Sequence, residues 1–262
     1  MGSFNPWAIK ITNVLVYFFL LTANVYSVYG PESGSPYVDA KKTYITPAPF
    51  VFFVWGIIHF LFAGFVIYQF FGQATETVVD GVGWQFVFIS IWNTVWLALT
   101  QKDHTILAWF AILFTASHVS YVYYKIRYKY PAISLLDNAF IHAPFSLYHA
   151  WIFVITVIST FVAFTPEVSD DGPSVLVTVV VIIGLLVLKS TAVSYVEFGK
   201  GDVAGALVIA WALYGIFVEQ DSPAIRWTAL VLSILTLLYS VKPFVAKHVF
   251  GRGGEERAPL LG

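Results

Sequence analysis

Residues 46–71 read TPAPFVFFVWGIIHFLFAGFVIYQFF and contain no Asp, Glu, Lys or Arg. A hydrocarbon core of about 30 Å is crossed by roughly 20 apolar residues of helix. This run supplies them, with Pro47 and Pro49 at its start, where a missing N–H costs a helix nothing. It predicts a transmembrane helix over residues 48–71. Working outward, seven more apolar runs stand near residues 8–29, 84–100, 105–128, 140–164, 174–196, 203–219 and 224–247. The fold class is therefore all-α, a polytopic transmembrane helix bundle of about eight spans. Composition agrees: 58% of residues are hydrophobic, 18% aromatic and 11% charged, against roughly 25% charged in soluble domains.

The connections are short and polar. Residues 101–104 leave room only for a tight antiparallel hairpin. Asp170-Asp171-Gly172-Pro173 and Asp221-Ser222-Pro223 punctuate later spans. The seventh run is short; read as re-entrant or interfacial, it lowers the count to seven. Lys10 precedes about 19 apolar residues, longer than the ~7 to 15 of a secretory h-region, so the first run is read as a retained span. With eight spans, Lys10, Lys125, Arg127, Lys129, Lys200, Lys242, Lys247, Arg252 and Arg257 fall on one side, and Lys41, Lys42, Lys102 and Arg226 on the other. The positive-inside rule then puts both termini in the cytoplasm. Residues 249–262, VFGRGGEERAPLLG, read as a flexible cytosolic tail. In it Glu256, Leu260 and Leu261 resemble an acidic dileucine sorting signal, pointing to a eukaryotic endomembrane such as vacuole or endosome. Met1-Gly2 is not read as a myristoylation signal, because Pro6 stands where Ser or Thr is expected.

A net charge of −1 offers no basic face to a nucleic-acid backbone. The absence of cysteine removes disulfides, thiolate metal sites and cysteine nucleophiles together. No Ser-His-Asp order, glycine-rich phosphate loop or glycosidase-like carboxylate pair is present, so nothing demands an enzyme. Chemistry is sought instead among polar side chains inside spans, which cost about 2.5 to 3.5 kcal/mol each when charged at mid-bilayer. They are Asn13, Asn24, His59, Asn93, His118, His142, His149 and Lys189. Asn93 shares its helix with Trp92 and Trp96 and reads either as an interhelical contact or as a ligand contact. His59 with His118, or His142 with His149, form the pairs that a bis-histidine haem needs; satisfied core histidines have the same pattern. No pair has the four-residue spacing of a helical zinc site, and no metal is assigned. Lys189 lacks an intramembrane carboxylate and reads as a snorkelling or amide-paired lysine rather than a Schiff base.

The chain holds 24 Phe, 15 Tyr and 9 Trp. Trp7, Trp84, Trp109 and Trp227 lie near span ends, where aromatic belts form. Trp55, Trp92, Trp96 and Trp151 do not, and on three helices they either pack the core or wall a cavity for a flat apolar ligand.

TPAPFVFFVWG at the second span, WNTVW in the third and HAPFSLYHAW at the fifth resemble, in order and spacing, the translocator protein and tryptophan-rich sensory protein family, especially its longer members with extra C-terminal helices. Thr46, Pro47, Phe53 and Trp55 match the family's Thr-Pro-Pro-type start, Asn93 and Trp96 its Asn and Trp, and Pro144 and Trp151 its Pro and Trp. WALYGIFVEQ further on also looks like the long form. The resemblance covers about residues 8–165. It implies a five-helix core over 1–165, three added helices over 166–248, a tail over 249–262, and homodimerisation. It also implies a site for porphyrins, haem-like tetrapyrroles or sterols. Two departures stand out: Pro47-Ala48-Pro49 replaces Pro-Pro, and Ser159 stands where the family often has Asn. Sterol-type patterns occur at Val119 to Lys125 and Leu237 to Lys242, of a kind that many Tyr-and-Lys helix ends match.

The functional expectation is a membrane-embedded binding or sensory protein for a planar hydrophobic ligand, held between helices two, three and five. Its site is Trp55, Asn93, Trp96, Pro144 and Trp151, with His59 and His118. The alternatives are a bis-histidine haem redox protein, with haem or porphyrin as the bound group, and a small-molecule transporter. Membrane lipid is the remaining expected partner.

Overall fold

A computed structural model describes residues 5–30, 41–199 and 201–245. They form eight main helices: α1 (Pro6–Tyr29), α2 (Val54–Tyr68), α3 (Gln85–Gln101), α4 (Thr105–Lys129), α5 (Ala143–Phe164), α6 (Val175–Glu197), α7 (Val203–Glu219) and α8 (Pro223–Ser240). No strand occurs among the described residues. In lipid a backbone must satisfy its hydrogen bonds internally, and helices do so segment by segment. Six helical segments are long and apolar enough to cross a membrane. α3 and α7 have 17 residues, about 25 Å of helix. The chain is an integral, multi-pass membrane protein.

The seventh run forms one unbroken helix. Gly205, Ala206, Ala210, Ala212 and Gly215 let α7 sink among its neighbours, where it packs on α5, α6 and α8. α1 lies mainly along α3 and only lightly along α2, while α4 runs against α3 and α5. The outer face of α2 shows the solvent this surface is made for. Phe53, Phe60 and Ile67, seven residues apart, are 71%, 74% and 66% exposed on one stripe. Val54, Ile58, Phe62 and Phe65 face inward.

Several boundaries differ from the sequence reading, each for a local reason. Pro49 opens a 3-10 turn, Pro49–Phe53, ahead of α2. A π turn, Asn138–His142, precedes Pro144, which takes the first turn of α5. The last span stops at Ser240, and a separate turn, Lys242–Val245, follows. Asn5, which the sequence reading passed over, caps α1 by accepting from the Trp7 amide at 3.0 Å. Glu256, Leu260, Leu261 and Met1-Gly2 lie outside the described residues.

Two joints tie α6 to α8 onto the first five helices. At the end where α4 stops, Asp202 accepts hydrogen bonds from Tyr123 Oη at 2.8 Å and Ser146 Oγ at 2.6 Å. It also lies 3.7 Å from Arg127 and caps α7 through the Gly205 amide. At the opposite end the Ala48 amide donates to the Gly215 carbonyl at 3.0 Å. Trp211 Nε1 donates there to the Val51 carbonyl, and Gln220 Nε2 to the Thr46 carbonyl at 2.8 Å. A Cβ on Gly215 would come within 2.0 Å of Val51 Cγ2, whereas one on Gly56 would meet only Phe53, at 3.9 Å. Gly215→Ala is therefore expected to lower stability by about 2 kcal/mol through overpacking. Gly56→Ala should be neutral or gain up to about 1 kcal/mol of helix propensity. Thermal unfolding in detergent checks the pair, and equal melting temperatures would show that the Gly215 contact is soft.

Candidate functional site

α2 and α5 carry the central ring assembly. Trp55 sits 6.2 Å from Trp151, edge-on at 90°, 5.7 Å from Tyr148, and stacked at 5.8 Å on His59 one turn along its own helix. Phe52 meets Trp151 at 5.7 Å, and Phe62 meets Tyr148 at 5.4 Å, both edge-on. These edge-to-face contacts order the rings beyond what area burial alone would do. The local sequence makes them inevitable: Trp55 and His59 are four apart on α2, as are Pro144 and Tyr148 on α5, with Trp151 three further on.

Within this assembly several buried polar atoms have no hydrogen-bond partner among the described residues. They are both ring nitrogens of His59, Tyr148 Oη, Trp151 Nε1 and Asn93 Nδ2. Tyr148 and Trp151 are fully buried. Buried polar atoms of native proteins are paired in the great majority, with protein or with ordered water, so several unpaired atoms at one ring cluster single it out. Asn93 Oδ1 accepts from Asn24 Nδ2 at 3.4 Å, which ties α3 to α1.

Beside the assembly, between α1 and α2, lies a cleft of about 550 Å³ walled by Asn24, Tyr29, Phe52, Phe53, Trp55 and His59, among others. That is within the range of small-molecule sites. It forms along the seam where α1 leans away from α2 toward α3. A second cavity, where α3, α4 and α5 meet the segment before α2, holds only about 50 Å³, enough for a water molecule or two. Trp96, Ser159, Phe52 and Lys41 line it. Lys41 also closes the end of α5 by donating to the carbonyls of Val162 at 3.0 Å and Thr165 at 2.6 Å.

The residues singled out from sequence thus separate. Trp55 and His59 wall the large cleft, Trp151 stands behind Trp55, and Asn93 reaches it through Asn24. Trp96 belongs to the small cavity. Pro144 opens α5 and lines neither. His118 lies on the α3–α4 seam, bonded to Gln85 at 2.6 Å and stacked on Phe88. His149 has both nitrogens engaged, by Ser120 at 2.9 Å and Tyr195 at 2.5 Å, which leaves none for an axial bond. No group of three or more His, Asp or Glu able to hold a metal occurs among the described residues. Lys189 is half-buried without a carboxylate partner there.

Two participants escaped the sequence reading. Tyr148 shares a face with Pro144 and Trp151, a spacing that was visible, but attention went to tryptophan. Gln69 bonds Asn13 at 3.1 Å and the Lys10 carbonyl at 3.0 Å, clasping α1 to the end of α2. Lys10 Nζ itself donates to Thr75 Oγ1 at 2.8 Å.

Comparison with known proteins bears on this geometry. A family model described as TSPO-like protein matches residues 10–242, which span both the first five helices and the three that follow. No curated protein and no solved structure matches the chain. The family match makes it, in general terms, a membrane-embedded binding or sensory protein. From its first helix to its last, the chain belongs to the TSPO-like family.

Proposed function

We propose that the protein binds a planar hydrophobic ligand, a tetrapyrrole or a sterol, in the cleft between α1 and α2, with both termini in the cytoplasm. The observation that carries this reading is a space of about 550 Å³ walled by Trp55 and by His59, both of whose ring nitrogens lack a partner among the described residues; the unpaired Tyr148 Oη and Trp151 Nε1 stand in the ring assembly behind that wall, and Asn93 meets it through Asn24. A flat ligand with one polar edge satisfies both features: its faces lie on aromatic walls and its edge meets the imidazole. Val25, Val28 and Phe53 on its walls are exposed apolar side chains, the kind of surface that suits entry of an apolar ligand from lipid.

Titration with protoporphyrin IX, followed by quenching of tryptophan fluorescence, tests the reading. Saturable quenching is expected, and Trp55→Ala should weaken it by about 10-fold or more, the loss of a large aromatic contact. The absence of saturable quenching with protoporphyrin and with a fluorescent sterol alike removes the reading. A preparation grown with haem available gives a second reading at no extra cost. A Soret band that moves on reduction would instead favour the redox alternative, with His59, among the described residues, as the buried imidazole whose two nitrogens are both unpaired.

A further inference from the structure

At the end of the bundle where α4 and α6 both stop, a cavity of about 330 Å³ lies between those two helices, floored by His149 of α5. It is separate from the α1–α2 cleft, and among the described residues no Lys, Arg, Asp or Glu lines it. Its walls carry hydroxyls that have already given their protons away. Tyr123 donates to Asp202 at 2.8 Å, Thr191 to the Val187 carbonyl at 3.0 Å, and Ser194 to the Ser190 carbonyl at 3.1 Å. His149 is tied at both nitrogens, and Tyr123 covers one face of its ring at 4.4 Å. The inward surface is therefore made of oxygen lone pairs and the faces or edges of Tyr124, Tyr195 and Phe198.

Such a lining discriminates by chemistry. An anion finds no charged donor in it. An ammonium ion finds acceptors for its N–H groups and aromatic rings for its charge, the combination that recognises amines elsewhere. Three cations described at this end have other partners: Lys125 lies over the Tyr121 ring, Arg127 beside Asp202, and Lys242 on Glu197. The cavity also sits at the end of α6, near Phe198 and Gly199.

We propose that this cavity is a second binding site, for a primary organic ammonium ion, supplied either as a free arylalkylamine or as the ethanolamine headgroup of a phospholipid. Thr191, Ser194 and Tyr195 accept from the ammonium, and Tyr124 and Phe198 flank it.

The full-length protein in phosphatidylglycerol nanodiscs is titrated with para-fluorophenethylamine and followed by fluorine NMR, with empty discs subtracted. Saturable binding is expected, about 10-fold tighter than that of the matching alcohol or phenylacetate, because neither of those brings a cation to the rings. The double variant Thr191→Val and Ser194→Ala, and separately the half-exposed Tyr124→Leu, should each weaken the amine by about 5-fold. Discs containing phosphatidylethanolamine separate the two sources. Unchanged amine affinity assigns the site to a free amine, and competition assigns it to the headgroup. The inference is overturned if the amine does not saturate in phosphatidylglycerol discs, if the alcohol and acid bind as well as the amine, or if both variants bind like the parent.

Discussion

Replacing Asp202 by Ala is expected to lower the stability of the bundle by about 3 kcal/mol, as the sum of two lost hydrogen bonds to a charged acceptor and one helix cap. Asp202 is 4% exposed and holds three elements at once: Tyr123 of α4, Ser146 of α5 and the first turn of α7. Hydrogen bonds between membrane helices average less than 1 kcal/mol, which argues for a smaller figure. The carboxylate's charge and its burial argue for the larger one, because truncation leaves two buried hydroxyls without their acceptor. Asp202→Asn keeps one acceptor oxygen and should cost only about 1 kcal/mol. Reversible unfolding in mixed micelles measures both. An Asp202→Ala variant within about 0.5 kcal/mol of the parent would show that the Asp202 joint adds nothing measurable to the attachment of the last three helices.

That joint illustrates where the sequence stops being informative. Apolar run length locates all eight helices, because lipid demands a helix wherever about 20 apolar residues follow one another. Short polar connections make them antiparallel. The π turn before α5 and the 3-10 turn before α2 depend instead on how each segment meets its neighbours. Pro144 in a first helical turn was nonetheless a readable sign that regular α-helix starts beside it and not at residue 140. Asp202 had no place in the sequence analysis, because its partners come from residues 79 and 56 positions away.

The candidate site was legible to the same depth. Aromatic spacing along α2 and α5 marks Trp55 and Trp151 for one face each, and the structure brings their rings to 6.2 Å. Spacing within helices does not reveal which seam between them opens. Helices two, three and five were expected to enclose the ligand space, yet the volume there is about 50 Å³, and the larger cleft stands between α1 and α2. Nor does it reveal which histidine is already satisfied. His59, His118 and His149 look alike as lone imidazoles in apolar runs. Only contacts to Gln85, Ser120 and Tyr195 on other helices separate the two tied histidines from the free one.

Tyr148→Phe separates structure from function, because its two expected effects have opposite signs. The Tyr148 hydroxyl is fully buried and has no partner among the described residues. Leaving such a group unpaired costs about 1 to 3 kcal/mol, so its removal should stabilise the ligand-free protein by about 1 kcal/mol. If the hydroxyl is kept for a bound ligand, the same change should weaken protoporphyrin or sterol binding by about 10-fold, equivalent to about 1.4 kcal/mol. His59→Phe extends the comparison. The new ring can keep the stack on Trp55 while both unpaired nitrogens are lost, and the loss of affinity should exceed that of Tyr148→Phe because two polar atoms are removed instead of one. A residue serving only the fold gives the reverse pattern, lower stability with unchanged binding. Unfolding of the ligand-free protein and the quenching titration, run on the same preparations, therefore decide between the roles. A destabilised Tyr148→Phe would mean that the hydroxyl finds its partner inside the free protein, and the ligand's polar edge would then have to be sought at His59 and Asn93 alone.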